Sequence, residues 1–150
     1  MTDEGKARLM EHEGNVLHCY PDSLGFFTIG IGHCIDKRKS GQLKPKFIQM
    51  IFEDDLEDAA SQAALSFPWF EDLDHVRQDV IVMLVFNMGI GNLGGFRLMI
   101  DAIKRKDWTK AAWELNNSLW ARQVGHDRKV ELCEALEKGT WNKNTKADHL

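Results

Sequence analysis

The stretch DHVRQDVIVMLVFNMG carries apolar residues on nearly every side from Val80 to Met88. A helix with no polar face has to be enclosed all round, so this chain needs other helices to wrap it. Gly89 stops it. The spacing predicts further helices at about 96–105, 108–115 and 126–138, the second capped by Asp107 and the last closed by Gly139. Upstream, Pro45 opens a long helix reaching about Phe67, with Ile48, Ile51, Phe52, Leu56, Ala59 or Ala60, and Ala63 on its apolar face. At 150 residues the chain has the length of one ordinary domain with a core of its own.

The N-terminal part reads differently. Thr2 or Asp3 caps a first helix with Leu9, Met10 and Glu13 on one face, ended by Gly14. VLHCY (16–20) and FFTIGI (26–31) read as two short strands joined by the turn PDSLG, with Asp22 leading and Gly25 closing it. Glycine in a strand gives up packing and marks a bulge or a close approach, and Gly30 and Gly32 stand in one such run. The fold class expected is α+β. A small β-hairpin lobe spans about 1–45, a connecting helix 46–67, a larger helical lobe 68–141 and a polar tail 142–150. A cleft between two such lobes is a natural ligand site.

Composition removes several function classes. The formal charge of −4 argues against nucleic acid as a partner, although KRK (37–39), KPK (44–46) and KRK (104–106) form local basic clusters. Cys19, Cys34 and Cys133 are odd in number and lack CxxC spacing, so they read as reduced thiols, with a Cys19–Cys34 bridge as the alternative if their strands meet, and no metal or cofactor is expected. No window is apolar enough for a membrane helix, so membrane insertion is not expected. The charged N-terminus does not read as a secretory signal. There is no GxSxG elbow, and GIGNLGG (89–95) follows a helix, so it fits neither a dinucleotide fingerprint nor a P-loop. The five tryptophans (69, 108, 113, 120, 141) are spaced as helix-packing residues.

What remains is a set of carboxylates. Glu13 shares a helix face with Leu9 and Met10 and lies in the last turn, where unpaired carbonyls disfavour negative charge. Both placements suit a general acid, while the plainer reading is a surface glutamate beside a glycine cap. Asp22 is either an ordinary first residue of a turn or the second carboxyl of a glycoside-hydrolysing pair. Thr28, on the strand side opposite Phe27, Ile29 and Ile31, either holds a water near Asp22 or is a plain strand threonine. For His33 the expected role is a structural ion pair with Asp54 or Asp55 of the long helix, Asp55 being favoured.

These residues also carry a resemblance. Glu13-Gly14, then Tyr20-Pro21-Asp22-Ser23-Leu24-Gly25, then Thr28-Ile29-Gly30-Ile31-Gly32-His33 resembles the catalytic segment of glycoside hydrolase family 24, the T-even-type phage lysozymes and many endolysins. Phe86-Asn87-Met88-Gly89 with Gly91 and Phe96, then Trp108 with Ala111-Ala112, extend the match. Ser118 with Trp120, Arg128, and Gly139-Thr140-Trp141 carry it over roughly residues 4 to 141.

The resemblance implies a lysozyme-like fold and cleavage of the β-1,4 bond between N-acetylmuramic acid and N-acetylglucosamine in peptidoglycan. It makes Glu13 the proton donor, Asp22 the carboxylate that orients the attacking water, and Thr28 a holder of that water in an inverting reaction. Phe86 and Asn87 would line the far wall of the cleft, with Cys34 and Arg128 as further substrate-contacting residues and Arg128 supporting Glu13.

Two departures stand out. Asp36 to Lys46 is shorter than the family's usual β-structure and loops there, and the chain is acidic where many relatives are basic. With no signal-anchor, an endolysin of this kind is expected to be monomeric, to accumulate in the host bacterial cytoplasm and to depend on a holin to reach peptidoglycan glycan strands. A virion-carried role, a lytic transglycosylase and an inactive wall-binding module are the alternatives.

Overall fold

The computed structural model describes residues 1–35 and 43–142. The loop expected after His33 falls largely outside the described residues, as do the basic cluster 37–39 and nearly all of the polar tail. The chain separates into two compact units, Met1–Ile51 and Phe52–Leu150.

The first unit begins with helix α1 (Asp3–Glu13), whose N-cap Thr2 accepts from Gly5 N and whose C-cap is Gly14. Strands β1 (Val16–Pro21), β2 (Phe27–Gly30) and β3 (His33–Cys34) follow, forming one antiparallel sheet in the order β1-β2-β3. The hairpin was legible, but β3 was not: two residues are too short to show alternation. Tyr20 pairs with Thr28 and Val16 with Gly30, so Leu17, His18 and Cys19 bulge out where β2 has only Ile29. The unit buries little. α1 has no buried residue, and Leu9 and Met10 are about half exposed, so the apolar packing expected on that face does not form. A unit this short has too little apolar surface to enclose both a helix and a sheet.

Helix α2 (Pro45–Ser66) starts at the predicted proline, but of its expected apolar face only Ala59 and Ala63 are buried. Ile48, Ile51 and Phe52 are about half exposed. The small residues of its second half are the ones that enter the core of the helical unit.

That core is built on α3 (His75–Met88), capped by Asp74 and stopped by Gly89. Its buried residues are Arg77, Val80, Ile81, Leu84 and Val85, a single stripe at helical spacing rather than an all-round apolar helix. Met83 (41% exposed) and Phe86 (46%) fall on the other side, where they line a pocket. Then come α4 (Ile90–Gly94), α5 (Arg97–Lys104), α6 (Trp108–Asn116), α7 (Leu119–Gln123) and α8 (His126–Lys138). α6 packs against α5 and α8, with Ala111, Ala112 and Ala135 buried at small-residue positions. α6 turns Trp113 outward, 54% exposed with Lys110 Nζ 4.1 Å over its ring, so this tryptophan is not a core residue as expected.

The buried charge is Arg77. Its Nε donates to Leu136 O at 2.8 Å, Nη2 to Glu137 O at 2.7 Å and Nη1 to Asp74 Oδ2 at 2.6 Å. The guanidinium also lies 3.9 Å over the Trp108 ring. Gly139 completes the nest: with φ +66°, a Cβ there would stand 3.0 Å from Arg77 Cζ. One side chain thus closes the end of α8 onto the starts of α3 and α6. Burial alone would raise the Asp74 carboxyl, but the hydrogen bonds from the Arg77 side chain and backbone, together with its charge, hold it below the ordinary aspartate value of 3.8. Stability from this pair is therefore complete above that ordinary value and is lost as pH falls through the lower folded one. We expect Arg77→Ala to cost about 3 kcal/mol in chemical denaturation, since two carbonyls and a carboxylate lose their donor. In acid titration, Asp74→Asn should lack the component of stability that the natural chain loses below about pH 4.

Candidate active site

Glu13, Asp22 and Thr28 all lie in the first unit. Asp22 is held by its turn: Oδ1 accepts from Leu24 N at 2.8 Å and from Phe26 N at 2.9 Å. The backbone repeats the closure, with Asp22 N donating to Phe26 O at 2.8 Å and Gly25 N to Asp22 O at 2.9 Å. Both side-chain bonds fall on Oδ1, and Oδ2 makes none with any described residue. The turn role is therefore real, and it leaves one oxygen of an oriented carboxylate free for other work.

Thr28 is the buried polar residue of this unit, 4% exposed, on the sheet face opposite the half-exposed Phe27. Its hydroxyl has only a long bond, 3.4 Å, to Phe26 O. Glu13 is exposed at the end of α1. What its carboxyl group does meet is Gly32. A Cβ built on Gly32 would fall on the Glu13 carboxylate, 2.9 Å from Cδ. Gly32 also has φ +64° in the turn between β2 and β3. The close approach signalled by the strand glycines is thus, at Gly32, the side chain of Glu13. His33 is exposed and meets Phe47 edge-on at 6.5 Å between ring centroids. Cys34 is half-buried on β3, paired with Thr28, and all three cysteines are free.

The second unit gathers Phe86, Asn87 and Arg128 into one pocket of about 230 Å³, with Phe52, Leu56, Met83 and Leu132. Phe52 and Phe86 touch edge to face at 6.0 Å. Phe86 also borders a second pocket of about 430 Å³, which Asp55 lines together with Asp58 and Gln62. His33 and Asp55 belong to different units. Among the described residues no group of His, Cys, Asp and Glu is placed to hold a metal ion, and no helix is long and apolar enough to cross a membrane. Two contacts escaped sequence reasoning: that of Arg77 with the end of α8, and that of the Trp120 indole with Asn87.

A small three-stranded antiparallel sheet and a larger set of helices are consistent with an α+β, lysozyme-like fold. The phage lysozyme family model matches residues 10–144, and the chain belongs to that family of T4-type glycoside hydrolases. It is 29% identical to "Probable T4-type lysozyme 1" of Dictyostelium discoideum, over 95% of this chain and 98% of that protein. "Probable T4-type lysozyme 2" of the same organism is 28% identical over 93% and 97%. The pre-baseplate central spike protein Gp5 of Enterobacteria phage T4 is 28% identical over 77% of this chain but only 24% of its own length. The chain is thus a lysozyme-type enzyme acting on peptidoglycan.

Gly32 supplies a direct check on the Glu13 environment. Alanine there adds backbone strain of about 1 kcal/mol and pushes the Glu13 carboxylate aside. We expect Gly32→Ala to lower thermal stability slightly and to move the side-chain carboxyl resonance of Glu13 in 13C NMR. An unmoved resonance would mean that the two residues do not meet.

Proposed function

We propose that this lysozyme is a muramidase that hydrolyses the β-1,4 bond between N-acetylmuramic acid and N-acetylglucosamine by single displacement. Glu13 protonates the leaving glycosidic oxygen. Asp22 orients and deprotonates the attacking water through Oδ2, and Thr28 helps hold that water. The observation that carries this reading is the state of Asp22, whose Oδ1 is fixed by two backbone donors while Oδ2 makes no bond with any described residue. Glu13, standing in space cleared by a left-handed glycine, and Thr28, buried with a loosely held hydroxyl, support it. Phe86, Asn87, Arg128 and Cys34 contact the glycan.

The biological role that goes with this chemistry is lysis of a bacterial host by a monomeric endolysin that gathers in the host cytoplasm and passes the membrane with the help of a holin. Similarity to a protein named as a central spike favours a second reading, in which the enzyme is carried by the virion and opens the wall locally.

Reducing ends released from purified peptidoglycan test the chemistry. Glu13→Gln removes the proton donor without changing shape and should lower release by roughly a hundredfold or more. Asp22 needs two variants, because it holds a turn as well. Asp22→Asn keeps an oxygen for Leu24 and Phe26, so it should fold normally and lose turnover, whereas Asp22→Ala should lose stability too. Full turnover in either Glu13→Gln or Asp22→Asn would remove that residue from the mechanism. Mass analysis separates hydrolysis from transglycosylation, which leaves an anhydro-sugar.

The pairing of His33 with Asp55 is also part of the proposal. In a double-mutant cycle, His33→Ala and Asp55→Ala should show a coupling of about 0.5 kcal/mol or more. Strict additivity would sink the pair.

A further inference from the structure

Helices α6 and α8 together line a pocket of about 260 Å³, whose walls include Thr109, Trp113 and Asn116 of the first and Cys133, Glu134 and Glu137 of the second. It shares no residue with the pocket of Phe86 and Asn87. The spacing explains the grouping: Thr109, Trp113 and Asn116 recur at helical intervals on one side of α6, as Glu134 and Glu137 do on α8.

Trp113 is the exposed one of the five tryptophans, at 54%. A single exposed ring is ordinary on a protein surface. This ring, however, is restrained. Lys110 Nζ lies 4.1 Å over it, and Lys110 is held in turn at 2.8 Å by Glu114, whose side chain is only 15% exposed. A platform restrained in advance costs less entropy when a ligand stacks on it.

The polar groups around the pocket are largely unengaged. The side chains of Thr109, Asn116 and Glu137 make no hydrogen bond or ion pair with any described residue. Glu137 is tied to the protein through its backbone carbonyl, which accepts from Arg77. Glu134 accepts from Lys138 and Asn142, each at 3.4 Å. Burial pushes the Cys133 thiol up to about 11, so no thiolate is available there for reaction.

An indole with a hydroxyl, an amide and a carboxylate in the same pocket matches a pyranose ring, which offers C–H groups to the aromatic surface and hydroxyls to the polar atoms. It suits an ammonium group less well. Lys110 already stands over the indole and Lys138 already answers Glu134, so a further cation would enter among positive charges.

We propose that this α6–α8 pocket is a second sugar-binding site, separate from the carboxylate site, which takes a pyranose unit of the glycan strand with Trp113 as its platform. The inference goes beyond the hydrolytic mechanism and rests on peptidoglycan being the polymer the enzyme meets. A second contact on one long polymer raises the effective concentration of enzyme at its substrate and leaves the chemical step unchanged.

The test reads binding and turnover separately. In 15N NMR the Trp113 indole N–H is identified by its absence from Trp113→Phe. The Glu13→Gln chain is titrated with an N-acetylglucosamine oligomer and, in a second experiment, with lysine amide as the ammonium probe. A shift of the Trp113 signal with the oligomer that exceeds any shift with lysine amide is the expected result. No shift with the oligomer, or a larger one with lysine amide, overturns the proposal. This readout needs no turnover, so failure of the pocket and failure of the hydrolytic mechanism are distinguishable.

On insoluble peptidoglycan, Trp113→Ala in the otherwise natural chain should raise KM by roughly three- to tenfold with kcat within about twofold. Trp113→Phe keeps a ring and should recover most of that loss. The exposure of Trp113 lets the fold tolerate both changes. An unchanged KM in Trp113→Ala overturns the proposal.

Discussion

The Arg77 guanidinium is the interaction on which the helical unit depends. Helix ends leave carbonyls without partners, and the last turn of α8, which packs on α3 and α6, buries Leu136 while Glu137 and Lys138 stay exposed. The buried Leu136 carbonyl needs a donor from the protein. Arg77 supplies it twice, to Leu136 and Glu137, while its charge is met by Asp74 and the face of Trp108. A lysine, with its compact ammonium, matches neither the fork geometry nor the stacking. Gly139 then follows from Arg77: at the left-handed cap that ends α8, a Cβ would strike the guanidinium.

The first unit is organised on the opposite principle. Among its described residues it has almost no buried apolar side chain, and its geometry comes from hydrogen bonds and glycine conformations. Asp22 fastens a turn with one oxygen, and Gly32 turns the chain while making room for Glu13. The residues proposed for chemistry are therefore also residues that shape the backbone. Such double use explains why each of them had a plain structural reading in the sequence: at Asp22 that plain reading is correct, and it does not compete with the functional one.

The helices were legible because their signals are local. Thr2, Pro45, Asp107, Gly89 and Gly139 mark helix boundaries by their own chemistry, and the structure places each of them there. What sequence periodicity misjudged was burial. An apolar residue at a helix position is a candidate for the core, but Ile48, Ile51, Met83, Phe86 and Trp113 are all substantially exposed. Whether such a residue is covered depends on partners distant in the chain, which no local spacing encodes. The same holds for Arg77 and Trp120. A charge in VRQDV and an indole in SLWAR look ordinary until the residues some 60 and 33 positions away that they bind are brought beside them.

Of the site, the order of Glu13, Asp22 and Thr28 was readable because one helix, one turn and one strand follow each other within thirty residues. In the pocket, Phe86, Asn87 and Arg128 were reached only through the resemblance and Phe52 not at all, since these residues come from three separate helices. This division bears on how the enzyme tolerates change. Side chains of the helical core, such as Ile81 or Leu136, are enclosed, so their loss is expressed first as lost stability. The carboxylates stand in a unit with little core to lose, where substitution changes hydrogen bonds and clearances more than packing. Stability and the turnover proposed for the carboxylates are thereby written largely in different residues. Asn87 joins the pocket to the helical core, because its side-chain carbonyl accepts from the buried Trp120 indole.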